Sequence, residues 1–204
     1  ACSAIPYAHA HPEIRRDIWT VTQELTAVPE RMYKIIFNEC NAEFRQHLAD
    51  GDYGLAASSS FAMARAKARL GKHQSAIRLL CLTISLDLTG AGNNYQPNLY
   101  FRIAAKYLFP EERSILTIGT ALPPMAFEWA DKAGLSDEET ERLLLEGFTE
   151  ARKFLPIELF TPDECVDLLY FAAKGDEEGT GRVFSIAKVR FYRTYPHAAP
   201  PAED

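Results

Sequence analysis

Between Pro29 and Leu88 the apolar residues recur at helical spacing and pause only where glycine interrupts them, and this punctuation narrows the fold more than anything else in the chain. Pro29 opens "PERMYKIIFNECNAEFRQHLADG", in which Met32, Ile35, Ile36, Cys40, Phe44 and Leu48 form one stripe. Glu30 sits in the first turn, where a carboxylate suits the helix dipole, and Gly51 reads as a left-handed stop. An Ala- and Ser-rich helix over 55–69 follows, whose small side chains let a neighbouring helix come close. Gly71 breaks it. "HQSAIRLLCLTISLDL" then presents Ile77, Leu80, Cys81 and Ile84 on one face, widened by Leu79, Leu82 and Leu86, so this helix is expected to be central.

The same grammar extends both ways. Pro12 opens a helix with Ile14, Ile18, Val21 and Leu25 in register. "TGAGNNYQPN" over 89–98 reads as a loop. Helices are expected over 98–109, over 111–121 with a stop at Pro123-Pro124, and over 125–133. Ser136 to Glu139 and Thr161 to Glu164 are capping boxes, in which the hydroxyl accepts an otherwise unpaired N–H and the Glu reaches back. The helix after the first carries Leu143, Leu144, Phe148 and Ala151. The helix after the second carries Val166, Leu169, Tyr170 and Ala173 and stops at Gly175. "GDEEGTG" reads as an acidic, Gly-rich loop, and "RVFSIAKVRFYRTYP" over 182–195 fits a helix and a short strand equally. The fold class is therefore all-α or mainly α: packed antiparallel helical hairpins, about eight to ten helices. One helical domain over 12–195 would follow an N-terminal arm over 1–11 and precede a Pro-rich mobile tail over 196–204.

The 204 residues suffice for a core without metal or disulfide support. Lys and Arg number 22 against 28 Asp and Glu, and the acidic excess falls in the second half, which weighs against a nucleic-acid partner. No apolar run reaches membrane-spanning length. Cys40, Cys81 and Cys165 sit among apolar or helical residues and read as reduced, core-packed thiols, which places the chain in a cell or organelle interior, the cytoplasm included. It begins Ala1-Cys2-Ser3, which Met removal or cleavage of a targeting segment would both explain.

Ala64, Gly71, Ala76, Leu80 and Asp87 stand where one tetratricopeptide-type hairpin has its small contact residue, turn glycine, second small residue, large apolar residue and closing residue, so residues 57–88 resemble a hairpin of that family. The resemblance implies a docking scaffold. The chain departs from the pattern at Ser60 and Lys67, where aromatic residues are usual, at Thr83, where Ala is usual, and at Leu88, where Pro is common. A shift of 34 residues puts Pro110 inside a helix, so the hairpin does not recur as an array, and no family is recognised for the whole chain.

Candidate chemistry is sparse. Arg65, Lys67, Arg69, Lys72 and Arg78 fall in a window without carboxylates, and Arg65 and Arg69 share a helix face with Phe61. Arginine forks there would suit an acidic peptide or carboxylate, while a solvated charged face accounts for the same residues. Arg190, Tyr192 and Tyr195 interleave cations and aromatics in the last element, as a protein anchor does; a core-packed final element fits as well. His9 and His11 lack partners for a metal site, Ser58 to Ser60 lack a nucleophile-elbow context, and Gly90 to Gly92 lack a dinucleotide fingerprint. The expected function is a non-enzymatic protein–protein docking or assembly subunit of a larger complex, with no cofactor or metal. Its candidate contact residues are Phe61, Arg65, Arg69, Arg190, Tyr192 and Tyr195. The alternative is a helical enzyme or small-molecule- or cofactor-binding protein with a pocket between helices, to be recognised by His47, His73, Tyr100 and Tyr107 converging on one cavity.

Overall fold

The structure, a computed structural model, describes residues 30–89, 122–155, 158–194 and 196. Seven α-helices and one 3-10 turn, with no strand, make up the regular structure among the described residues: α1 Glu30–Ala49, α2 Tyr53–Arg69, α3 His73–Thr89, α4 Leu122–Lys132, α5 Asp137–Ala151, the 3-10 turn Arg152–Phe154, α6 Pro162–Lys174 and α7 Glu177–Thr194. The protein is mainly helical, as the spacing predicts. The expected arm over 1–11, the helix from Pro12, the loop over 90–98, the helices over 98–109 and 111–121, and the tail beyond 196 lie outside the described residues.

Four of the connections share one turn. Gly51, Gly71, Gly134 and Gly175 each have φ between 68° and 73°, a left-handed conformation in which a Cβ would be strained. After α2, the Gly71 N–H donates to the Ala68 carbonyl at 3.0 Å and the Lys72 N–H reaches back to the Lys67 carbonyl at 2.9 Å. The same pair of bonds closes α1, α4 and α6. This arrangement satisfies carbonyls that the helix end would otherwise leave unpaired and reverses the chain in two to four residues. After three of these turns the next helix is capped at once: Asp52 accepts from the Leu55 N–H at 3.0 Å, Ser136 from Glu139 at 3.2 Å, and Asp176 from Gly179 at 2.8 Å. Both predicted capping boxes are formed, at Ser136 and at Thr161.

That economy corrects one sequence expectation. "GDEEGTG" is not a loop: Gly175 and Asp176 complete the turn, and α7 begins at Glu177. Two carboxylates in its first turn favour the helix, and Gly179 stays inside it because the Phe171 ring occupies the place a Cβ would take. The segment over 182–194 is helix, which settles its two periodicities. Pro123 and Pro124 lie in the first turn of α4 instead of merely ending what precedes it, where their missing N–H groups leave no bond unmade.

Helix α3 is central, packed on α2, α4 and α5. One face buries Ile77, Leu80 and Cys81 in a core shared with α4 to α7; the other buries Leu82 and Leu86 in a second core with α1 and α2. Close approach to α2 follows from small residues, since Ala56, Ala64 and Ala76 are fully buried. Two of the departures from the tetratricopeptide pattern meet: Ser60 Oγ and Thr83 Oγ1 lie 2.8 Å apart, 0% and 2% exposed. Leu143, Leu144, Phe148 and Ala151 of α5 are buried as expected. The α1 stripe is buried only at Cys40 and Phe44; Met32 and Ile35 are exposed, because α1 is an outer helix whose principal neighbour is α2. Cys40, Cys81 and Cys165 are buried and form no disulfide, and burial pushes the Cys81 and Cys165 thiols far up from their ordinary range. No described helix is long and apolar enough to cross a membrane.

Candidate functional site

The basic window divides into separate environments once folded. Lys67 turns toward α1, its Nζ 4.0 Å from the centroid of the Phe37 ring. Lys72 lies near Glu30, whose carboxyl is held below its usual range first by its bond to Lys34 and, to a lesser degree, by Lys72. Arg78 pairs with Glu146 of α5 at 3.0 Å. Arg65 and Arg69 remain together on the outer side of α2 with Phe61.

Within this group the Arg65 guanidinium lies 5.9 Å from the Phe61 ring centroid, a cation–π distance. Phe61 is half-buried against the main core, which fixes the ring that Arg65 overlies. Burial, and then the neighbouring Arg69 charge, lower the Arg65 pKa, while Tyr33 of α1 acts in the opposite sense. Arg69 is exposed. The face therefore offers one guanidinium held over a phenyl ring and one exposed guanidinium a turn beyond it. It can hold a carboxylate or an acidic side chain through paired N–H donors.

The C-terminal candidates separate differently. Arg190 is spent inside the fold: its Nη2 donates to the Leu159 carbonyl at 2.7 Å and to the Glu164 carboxylate. Glu164 also accepts from the Thr161 N–H at 2.8 Å, so one carboxylate joins the start of α6 to the last turns of α7. Tyr192 is half-buried, edge-on to Phe191 with centroids 5.7 Å apart. Its buried hydroxyl has no hydrogen-bond partner among the described residues, and burial raises its pKa. Tyr195 lies outside the described residues. The structure does not gather the two groups into one site: α2 packs chiefly on α1 and α3, and α7 chiefly on α6.

Sequence reasoning missed the outward face of α7, where Arg182, Ile186, Val189 and Arg193 are exposed. The signal was available in the helical period, since Val183, Phe184, Ala187 and Phe191 turn inward and leave 186 and 189 outside. Ambiguity between helix and strand hid it.

The pocket reading gains no convergence. His47 ends α1 and His73 begins α3; because α1, α2 and α3 alternate in direction, these residues stand at opposite ends of the layer, roughly 25 Å apart for a helix of this length. Tyr100 and Tyr107 lie outside the described residues. A narrow recess between α5 and α6 is lined by Ser85, Phe148, Arg152, Leu159, Phe160 and Cys165. Among the described residues, no three His, Cys, Asp or Glu side chains gather as metal ligands would. No protein-family model, curated protein or solved structure matches the chain.

Proposed function

We propose that this chain is a non-enzymatic docking or assembly subunit that holds an acidic segment of a partner protein on the outer face of α2. The observation that carries the reading is the placement of the Arg65 guanidinium over Phe61 with exposed Arg69 one turn beyond. A surface arginine fixed over a ring loses less freedom on binding than a solvated one. The resemblance of residues 57–88 to a tetratricopeptide-type hairpin supports the same reading, as does the interior setting that buried thiols outside any disulfide fit.

Native mass spectrometry of the protein taken gently from its source tests it. A mass well above 22.9 kDa with other chains identified is the expected result. Arg65→Glu with Arg69→Glu should abolish that association while leaving the helical circular dichroism spectrum unchanged. A small added mass on a monomer would favour a bound metabolite and displace the docking reading, and unchanged association in the folded double variant would discard the α2 face.

A further inference from the structure

The most exposed large apolar side chains of the described protein are Ile186 and Val189, 56% and 58% exposed and three residues apart on α7. Arg182 lies one turn before them and Arg193 one turn after, both exposed. The stripe 182, 186, 189, 193 follows the i, i+4, i+7, i+11 spacing of a single helix face. It points away from the core that Val183, Phe184, Ala187 and Phe191 enter.

The charges on this stripe set it apart. Between residues 122 and 194 the chain has five arginines. Arg142, Arg152 and Arg190 each have a glutamate partner. Arg182 and Arg193 have none among the described residues, although the second half of the chain is rich in carboxylates. Glu178, a turn before Arg182 on the same helix, closes no ion pair with it among the described residues. Within residues 122–194, the two arginines that bracket the exposed apolar pair are thus the two with no carboxylate partner among the described residues.

We infer that this face of α7 receives an amphipathic helix of a partner protein, one carrying an apolar pair flanked on each side by a carboxylate. This rests on the docking reading above and adds a second contact surface to it. The spacing specifies the ligand: Arg193 stands eleven positions after Arg182, about 16 Å along the axis, so the partner's acids must stand about three turns apart. A second copy of this chain is a poor occupant. An antiparallel α7–α7 contact centred on Ile186 and Val189 would set Arg182 against the copy's Arg193 twice, and like charges brought together oppose association.

The probe is a synthetic helical peptide of about 18 residues with the pattern Glu-x-x-x-Leu-x-x-Leu-x-x-x-Glu on an alanine background, compared with the same peptide carrying Lys for both Glu. Fluorescence anisotropy with the full chain should show the acidic peptide binding at least about tenfold more tightly at low salt, with the margin shrinking as salt rises. Arg182→Glu with Arg193→Glu should reverse the preference, and Ile186→Asp should weaken both peptides. Equal binding of the two peptides, binding of neither, or a preference that survives the charge reversal overturns the inference. So does a dimer in sedimentation equilibrium that Ile186→Asp dissolves, which would assign the face to a second copy. An assembled native mass together with an indifferent peptide defeats only this inference, whereas a monomer with a bound metabolite defeats the docking reading beneath it.

Discussion

Ser60 and Thr83 share three hydrogen-bond contacts but have only two hydroxyl protons between them. Each hydroxyl can donate to a carbonyl of its own helix, Ser60 to Ala57 at 2.8 Å and Thr83 to Leu79 at 2.9 Å, and the two oxygens meet at 2.8 Å across the α2–α3 contact. One hydroxyl must therefore donate to the other while the second donates to its backbone. The pair is satisfied in either direction, and neither member is satisfied as well alone.

Removing one member should accordingly be worse than half of removing both. Ser60→Ala is expected to destabilise the fold by about 1–2 kcal/mol, because it takes away one partner of a buried hydroxyl. Combining it with Thr83→Val should cost clearly less than the sum of the single changes. Denaturant unfolding of the four proteins in the cycle measures the coupling.

Gly147 allows α5 to lie against α3. A Cβ at that position would stand 2.8 Å from Cys81 Sγ and 3.0 Å from Cys81 Cβ. Gly147→Ala should lower stability by about 1–3 kcal/mol, as overpacking does, and adding Cys81→Gly should recover part of the loss. Melting temperatures of the single and double variants decide it. An alanine tolerated without loss would mean that the two helices slide apart easily.

The two arginines of the last turns of α7 should behave oppositely. Arg190→Ala strips the Leu159 carbonyl and Glu164 of a donor and should cost about 1–3 kcal/mol, whereas exposed Arg193→Ala should change stability by about 0.5 kcal/mol or less. Equilibrium unfolding of both variants is the check.

Burial pushes the Asp87 carboxyl up to about 6. The folded state thus holds this proton more tightly than the unfolded chain does. The contribution of Asp87 to stability is full below an unfolded pKa of about 4 and is lost as pH rises through about 6. Other carboxylates act in the opposite sense, so the readout is a difference: Asp87→Asn should be more stable than the parent at pH 7, with the gap closing toward pH 4. A constant gap across that range would remove the burial argument.

Much of the fold is written locally. Gly51, Gly71 and Gly175 mark chain reversals, and Ser136 and Thr161 mark helix starts, because a cap or a left-handed turn is decided within four or five residues. The buried stripes of α3 and α5 are legible for the same reason. What escaped was decided by neighbours distant in sequence. The Met32 and Ile35 end of the α1 stripe is apolar yet exposed, since only packing tells which part of a helix is covered. Arg190 looks like its neighbour Arg193 until Glu164 and the Leu159 carbonyl arrive from another element. Gly179 reads as a loop residue until the Phe171 ring fills the space above it. Of the candidate site, the Phe61–Arg65–Arg69 grouping followed from helical spacing, whereas the divergence of Lys67 toward Phe37 and the exposed face of α7 required the neighbouring helices.

Because α3 lines both cores while α1 lines only one, the two regions need not share a single unfolding threshold. Detachment of α1 would remove Cys40 and Phe44 from the second core and leave the Ile77–Cys81 side of α3 closed under α4 to α7. In amide exchange such a molecule releases its protons in two stages, with α1 surrendering its own at a lower free energy than α3. In such molecules Cys40 would meet solvent while Cys81 and Cys165 stay shielded in the other core.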